Sequence, residues 1–130
     1  MGVGMKFTLD EIRKIKEEAI KKKLKGAAIL NEFTDDQMIE SFNGAGSSAD
    51  PEWQRWLLTN ILKKKLPAIL VHDMTFRKGG TDADFHRANE ELMENIISSD
   101  GDKDSSWWNF VGRKAKEYCD QRGRPGWGTA

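Results

Sequence analysis

The run Ala68-Ile69-Leu70-Val71-His72-Asp73-Met74-Thr75-Phe76 sets an imidazole and a carboxylate side by side in an otherwise apolar stretch. On a helix, Ile69, His72, Asp73 and Phe76 share one face by the i, i+3, i+4, i+7 rule. That face ought to be buried, and a buried ionisable pair is costly unless something satisfies it. An adjacent His-Asp pair also occurs in metal-dependent phosphohydrolases, whose sites need an upstream histidine. None precedes His72, and the only other histidine is His86, so neither that site nor a histidine-rich zinc site can be assembled. A serine triad lacks its Gly-x-Ser-x-Gly elbow.

A second polar residue interrupts the next apolar stripe. Phe85, Ala88, Leu92, Met93 and Ile96 recur at helical spacing, and Asn89 lies within them. Between the two segments stands Gly79-Gly80, the turn of a predicted αα-hairpin. His72 lies about 10 Å before that turn and Asn89 about 14 Å after it, at about 1.5 Å per residue. The two side chains should therefore face each other. A hydrogen bond between them that merely fixes helix register would satisfy the same pattern.

The elements that must hold this pair are predicted to be helical throughout. Thr8-Leu9-Asp10-Glu11 has the form of a capping box, followed by Ile12, Ile15, Ala19 and Ile20 at helical spacing. Lys and Glu cover the opposite face, and a packed stripe explains the helix as well as a membrane-surface role does. Thr34-Asp35-Asp36-Gln37 is a second capping box, ahead of a short helix with Met38, Ile39 and Phe42. Asn43-Gly44-Ala45-Gly46-Ser47-Ser48 then forms a loop of small residues, either a plain connector or a place where main chain approaches a ligand. Asp50-Pro51 starts a helix with Trp53, Trp56, Leu57, Ile61 and Leu62, ending in Lys63-Lys64-Lys65. Pro67 opens the helix of His72, and Thr81 or Asp82 caps that of Asn89, which runs to about Ile97. Residues 98–106 read as a polar loop. The last helix starts at Trp107 with Phe110, Val111, Ala115 and Tyr118-Cys119 on its stripe. No period-2 strand pattern occurs, so the fold class is all-α: a small helical domain over residues 5–122 with a central antiparallel helix pair, and a tail over 123–130.

The 130 residues suit one core and are too few for two. Lys plus Arg number 21 and Asp plus Glu 21, so no overall charge draws the chain to nucleic acid. One cysteine, Cys119, excludes an internal disulfide framework. No leader pattern and no apolar run of membrane-spanning length appears, so the chain reads as soluble.

A glycine loop, then a helix with His-Asp and an aromatic three residues on, then an antiparallel partner helix, resembles phospholipase A2. The chain is similar in particular to the short, cysteine-poor phospholipase A2-like proteins of viruses, phages and bacteria. The resemblance rests on Asn43-Gly44-Ala45-Gly46, His72-Asp73-Met74-Thr75-Phe76 and Ala88-Asn89-Glu90-Glu91-Leu92, and spans roughly residues 40–120. It implies calcium-dependent hydrolysis of a phospholipid ester with His72 as general base. Asp73 would hold Ca²⁺ together with main-chain carbonyls of the 43–47 loop, including Asn43, Ala45 and Ser47. A phospholipid or membrane surface would be the partner. Asn89 stands in the place of the dyad aspartate, Phe76 in that of a tyrosine, and Ala45 in that of a loop cysteine. The first two departures weaken the base. The alternative reading is a non-catalytic interaction module of phage or bacterial derivation on the same scaffold. Trp53, Trp56, Trp107, Trp108 and Trp127 would serve a membrane interface or a core, and burial of Trp56 and Trp108 is expected.

Overall fold

A computed structural model describes residues 7–42, 64–98, 106–124 and 127–128. The loop expected at Asn43 to Ser48 and the helix expected from Asp50 to Leu62, with Trp53 and Trp56, lie outside the described residues. The described chain is all-α. Five helices, α1 (Leu9–Lys21), α2 (Asp35–Phe42), α3 (Leu66–Lys78), α4 (Asp82–Ser98) and α5 (Ser106–Arg122), are joined by a 3₁₀ turn over Ala27–Glu32 between the first two.

The capping residues set where helices begin. Thr8 Oγ1 accepts from the Glu11 amide at 3.3 Å, and the Glu11 carboxylate accepts from the Thr8 amide at 3.0 Å. Thr34 with Gln37, and Thr81 with Asp84, make the same reciprocal pair ahead of α2 and α4. α1 buries Ile12, Ile15 and Ala19, whereas Ile20 has turned about 100° off that stripe and is exposed. The 3₁₀ turn buries Ala27 and Leu30, three residues apart as its own period requires.

α3 is the central element. Pro67 through Met74, and Phe76, are all buried, because α1, α2, the 3₁₀ turn and α4 all pack against it. Its core partners include Ile12, Leu30, Met38, Phe42, Leu92 and Val111. Each large apolar side chain so buried contributes about 1.5–3 kcal/mol. α3 ends at Gly79, whose φ of +72° suits glycine and whose amide donates to the Thr75 carbonyl. The chain then reverses. His72 against Asn89 and Phe76 against Phe85 are contacts four residues apart in opposite directions, which defines α3 and α4 as antiparallel.

α4 buries Phe85, Ala88, Asn89, Leu92, Asn95 and Ile96. Asn95 takes the buried place expected of Met93, because its amide clamps the main chain of Lys25, accepting from that amide at 2.8 Å and donating to its carbonyl at 3.0 Å. α5 packs most extensively on α4, burying Trp108, Val111, Gly112, Ala115 and Cys119. Phe110, expected on that stripe, is 51% exposed: it lies about 100° from Val111 and 200° from Gly112 around the helix. A β-carbon at Gly112 would stand 2.9 Å from the Met93 carbonyl oxygen, so glycine lets the two helices approach.

Past α5 the chain returns to the hairpin turn. The Gly128 amide donates to the Phe76 carbonyl at 2.7 Å, and Trp127 Nε1 donates to the Gly80 carbonyl at 3.2 Å. The Trp127 ring stands edge-on to Phe76 and Phe85, with centroids 5.1 and 5.5 Å away. Gly79 and Gly128 meet so closely that a β-carbon on Gly79 would lie 2.8 Å from the Gly128 Cα.

Candidate active site

Three helices converge on one hydrogen-bonded chain. α3 supplies His72, 2% exposed, and α4 supplies Asn89, fully buried. His72 Nε2 lies 2.9 Å from Asn89 Oδ1. The other end of that amide, Nδ2, donates to Asp120 Oδ1 on α5 at 2.9 Å. An amide oxygen only accepts, so the Nε2 hydrogen is donated and the lone pair of the imidazole sits on Nδ1. Among the described residues Nδ1 has no hydrogen-bond partner. Asp120 is held in turn by Lys116 Nζ at 2.7 Å on Oδ2 and by His86 Nδ1 at 3.1 Å on Oδ1.

Beside this chain Asp73 is 1% exposed, and neither of its carboxylate oxygens has a hydrogen-bond partner among the described residues. Burial pushes its pKa up to about 8. Burial lowers that of His72 to about 4, against an opposing contribution from the Asn89 hydrogen bond. His72 is thus a neutral imidazole at physiological pH, the protonation state a base requires. For Asp120 burial acts upward, but the hydrogen bonds from Lys116, Asn89 and His86 outweigh it and hold the carboxyl below its usual range. The Cys119 thiol is buried and pushed well above its ordinary range, first by burial and then by Asp73 and Asp120. It therefore stays a thiol at neutral pH.

Of the residues expected at the site, His72, Asn89 and Phe76 come together, the Phe76 ring lying 4.3 Å from the imidazole, while Asp73 is buried as the next residue on α3. Asn43, Ala45 and Ser47 lie outside the described residues. Trp108 is buried as expected, with Lys65 Nζ over its ring at 4.5 Å, while Trp107 is 49% exposed and stacks on Phe110. Sequence reasoning missed Asp120. Its signal was the Lys116–Asp120 spacing of four, next to the buried Ala115 and Cys119, but nothing in one sequence says which residue of α4 such a carboxylate meets. No group of three His, Cys, Asp or Glu side chains among the described residues is placed to hold a metal ion. A cavity of about 270 Å³ between α3, α4 and the 3₁₀ turn is lined by Glu32, Lys78, Asp84, Arg87 and Glu91 among others, and not by His72. Comparison of the chain with protein-family models, with curated proteins and with solved structures gives no match.

Proposed function

We propose that this chain is a phospholipase A2-like ester hydrolase in which His72 is the general base. The observation that supports it most is the imidazole itself, neutral, pinned at Nε2 by Asn89 and left with its Nδ1 lone pair unengaged among the described residues. Nδ1 takes a proton from water as the oxygen attacks the ester carbonyl, and His72 later returns that proton to the leaving alkoxide. Phe76 and Asn89 keep the ring from rotating during both transfers. Asp73 fits a hard cation, because its buried carboxyl, which burial alone keeps protonated, would ionise beside the cation and offer it two oxygens with no other partner among the described residues. Asp73 and main-chain oxygens of Asn43, Ala45 and Ser47 would hold Ca²⁺, which supplies positive charge to the developing oxyanion. The exposed Trp107 and Phe110 suit contact with a lipid surface.

The second reading, an interaction module without hydrolysis, is favoured by the amide at position 89, which does not stabilise an imidazolium by charge. Fatty-acid release from phospholipid vesicles separates the two. Wild type in Ca²⁺ should release acid, with the rate lost both in chelator and in a folded His72→Gln variant. Equal rates for wild type and His72→Gln would end the hydrolase reading.

A further inference from the structure

We infer that Asp120 is a positioning residue for the imidazole: through the Asn89 amide it fixes which nitrogen of His72 carries the hydrogen. This rests on the reading of His72 as a base, yet its geometry can be tested without any hydrolysis. An ionised carboxylate has acceptors only, so the group of Asn89 that faces Asp120 must be its NH₂. That is the contact found, Asn89 Nδ2 to Asp120 Oδ1 at 2.9 Å. The amide oxygen is thereby turned towards His72, where it meets Nε2 at 2.9 Å and accepts its hydrogen. The lone pair is left on Nδ1. Without an acceptor-only group behind it, the amide is free to turn over. Its NH₂ would then face Nε2, the hydrogen would move to Nδ1, and the base would be lost in that fraction of molecules.

The surroundings of Asp120 serve this role. Lys116 Nζ occupies Oδ2 at 2.7 Å, and His86 Nδ1 shares Oδ1 with Asn89 at 3.1 Å. His86 in turn lies 3.6 Å from Asp82. Lys116 and the hydrogen bonds from His86 and Asn89 keep the carboxyl ionised and aimed at the amide, which transmits its polarity to the imidazole. The negative charge missing at position 89 therefore sits one hydrogen bond further out, on α5 rather than on α4.

The test is a long-range ¹H–¹⁵N spectrum of the full chain at neutral pH in chelator. Only two histidines contribute, and His86→Gln assigns them. Wild-type His72 should be the Nε2–H tautomer. Asp120→Asn, whose carboxamide offers both a donor and an acceptor, should show a substantial Nδ1–H population and, in Ca²⁺ with vesicles, a kcat lowered in proportion to it, about twofold where half the molecules carry Nδ1–H, at unchanged KM. The double variant Asn89→Asp/Asp120→Asn restores an acceptor-only group against His72 and should return both the Nε2–H tautomer and the rate. A purely structural role would lower the melting temperature without moving the tautomer. An Nδ1–H tautomer in wild type overturns the inference, and so does an unchanged tautomer in folded Asp120→Asn. If Asp120→Asn does not fold, the spectrum of Asp120→Ala, which removes the acceptor behind Asn89, decides in its place: an unchanged Nε2–H tautomer overturns the inference. If wild type shows the expected tautomer but releases no fatty acid, the hydrolase reading fails while the positioning contact stands.

Discussion

Asn89 accepts from a buried imidazole with one end of its amide and donates to a half-buried carboxylate with the other, so changing it acts on both partners. The family resemblance alone leads one to expect that Asn89→Asp strengthens the base. With Asp120 Oδ1 only 2.9 Å away, the new carboxylate instead faces an existing one. The single variant is expected to lose about 1–3 kcal/mol in thermal melts, a loss relieved by adding Asp120→Asn. That His72 would meet Asn89 was legible from spacing about the glycine turn; that Asp120 stands behind Asn89 was not, because it depends on how α5 is rotated against α4. His72 and Asp73 make a second prediction, on pH. The folded chain keeps Asp73 protonated up to about 8 against an ordinary 3.8, which costs stability increasingly as pH rises between those values. It keeps His72 neutral down to about 4 against 6.5, which costs stability increasingly as pH falls between those values. From pH 4 to 6.5 the two slopes cancel. From 6.5 to 8 only that of Asp73 remains, so calcium-free protein should lose about 1–2 kcal/mol across this window. Melts of wild type and Asp73→Asn in chelator check it: the variant should lack the decline.

Gly112 lies where α5 crosses Met93 and Ile97 of α4. Alanine is the better helix former by up to about 1 kcal/mol. Its β-carbon would nevertheless press on the Met93 carbonyl, so Gly112→Ala should destabilise by about 1–3 kcal/mol in denaturant titration. A stabilised variant would show that the helices are not in close contact there. Trp127 closes the other end of the hairpin by covering Phe76 and Phe85. Trp127→Ala should cost about 1–2 kcal/mol and loosen the ring that packs on His72, a change visible in the His72 resonances. Capping boxes at Thr8 and Thr34 made the starts of α1 and α2 legible, since those motifs are local in sequence. The 3₁₀ turn was not legible, because six residues with a three-residue period resemble a loop in composition. Nor was the return of Trp127, which is fixed by the Gly79–Gly128 approach between segments about fifty residues apart.

Among the described residues, four polar side chains of the candidate site lie on three successive helices. His72 and Asp73 lie on the helix that every early element surrounds, and Asn89 and Asp120 on the two that follow. Among the described residues, no helix is long and apolar enough to cross a membrane. The all-α class was legible because no stretch alternates with period two. Of the candidate site, His72, Asp73 and Asn89 were legible as polar residues inside apolar stripes, and the hydrolase reading proposed for them comes from the resemblance. The most direct measurement is hydrolysis in ¹⁸O-water of a mixed-chain phospholipid whose sn-2 acyl group is distinguishable. Water attack at the sn-2 carbonyl, with cleavage of the acyl–oxygen bond, predicts one ¹⁸O in the released fatty acid, an equal amount of unlabelled lysophospholipid, and loss of both in folded His72→Gln and Asp73→Asn. A folded, calcium-binding wild-type protein that releases no fatty acid would contradict the account.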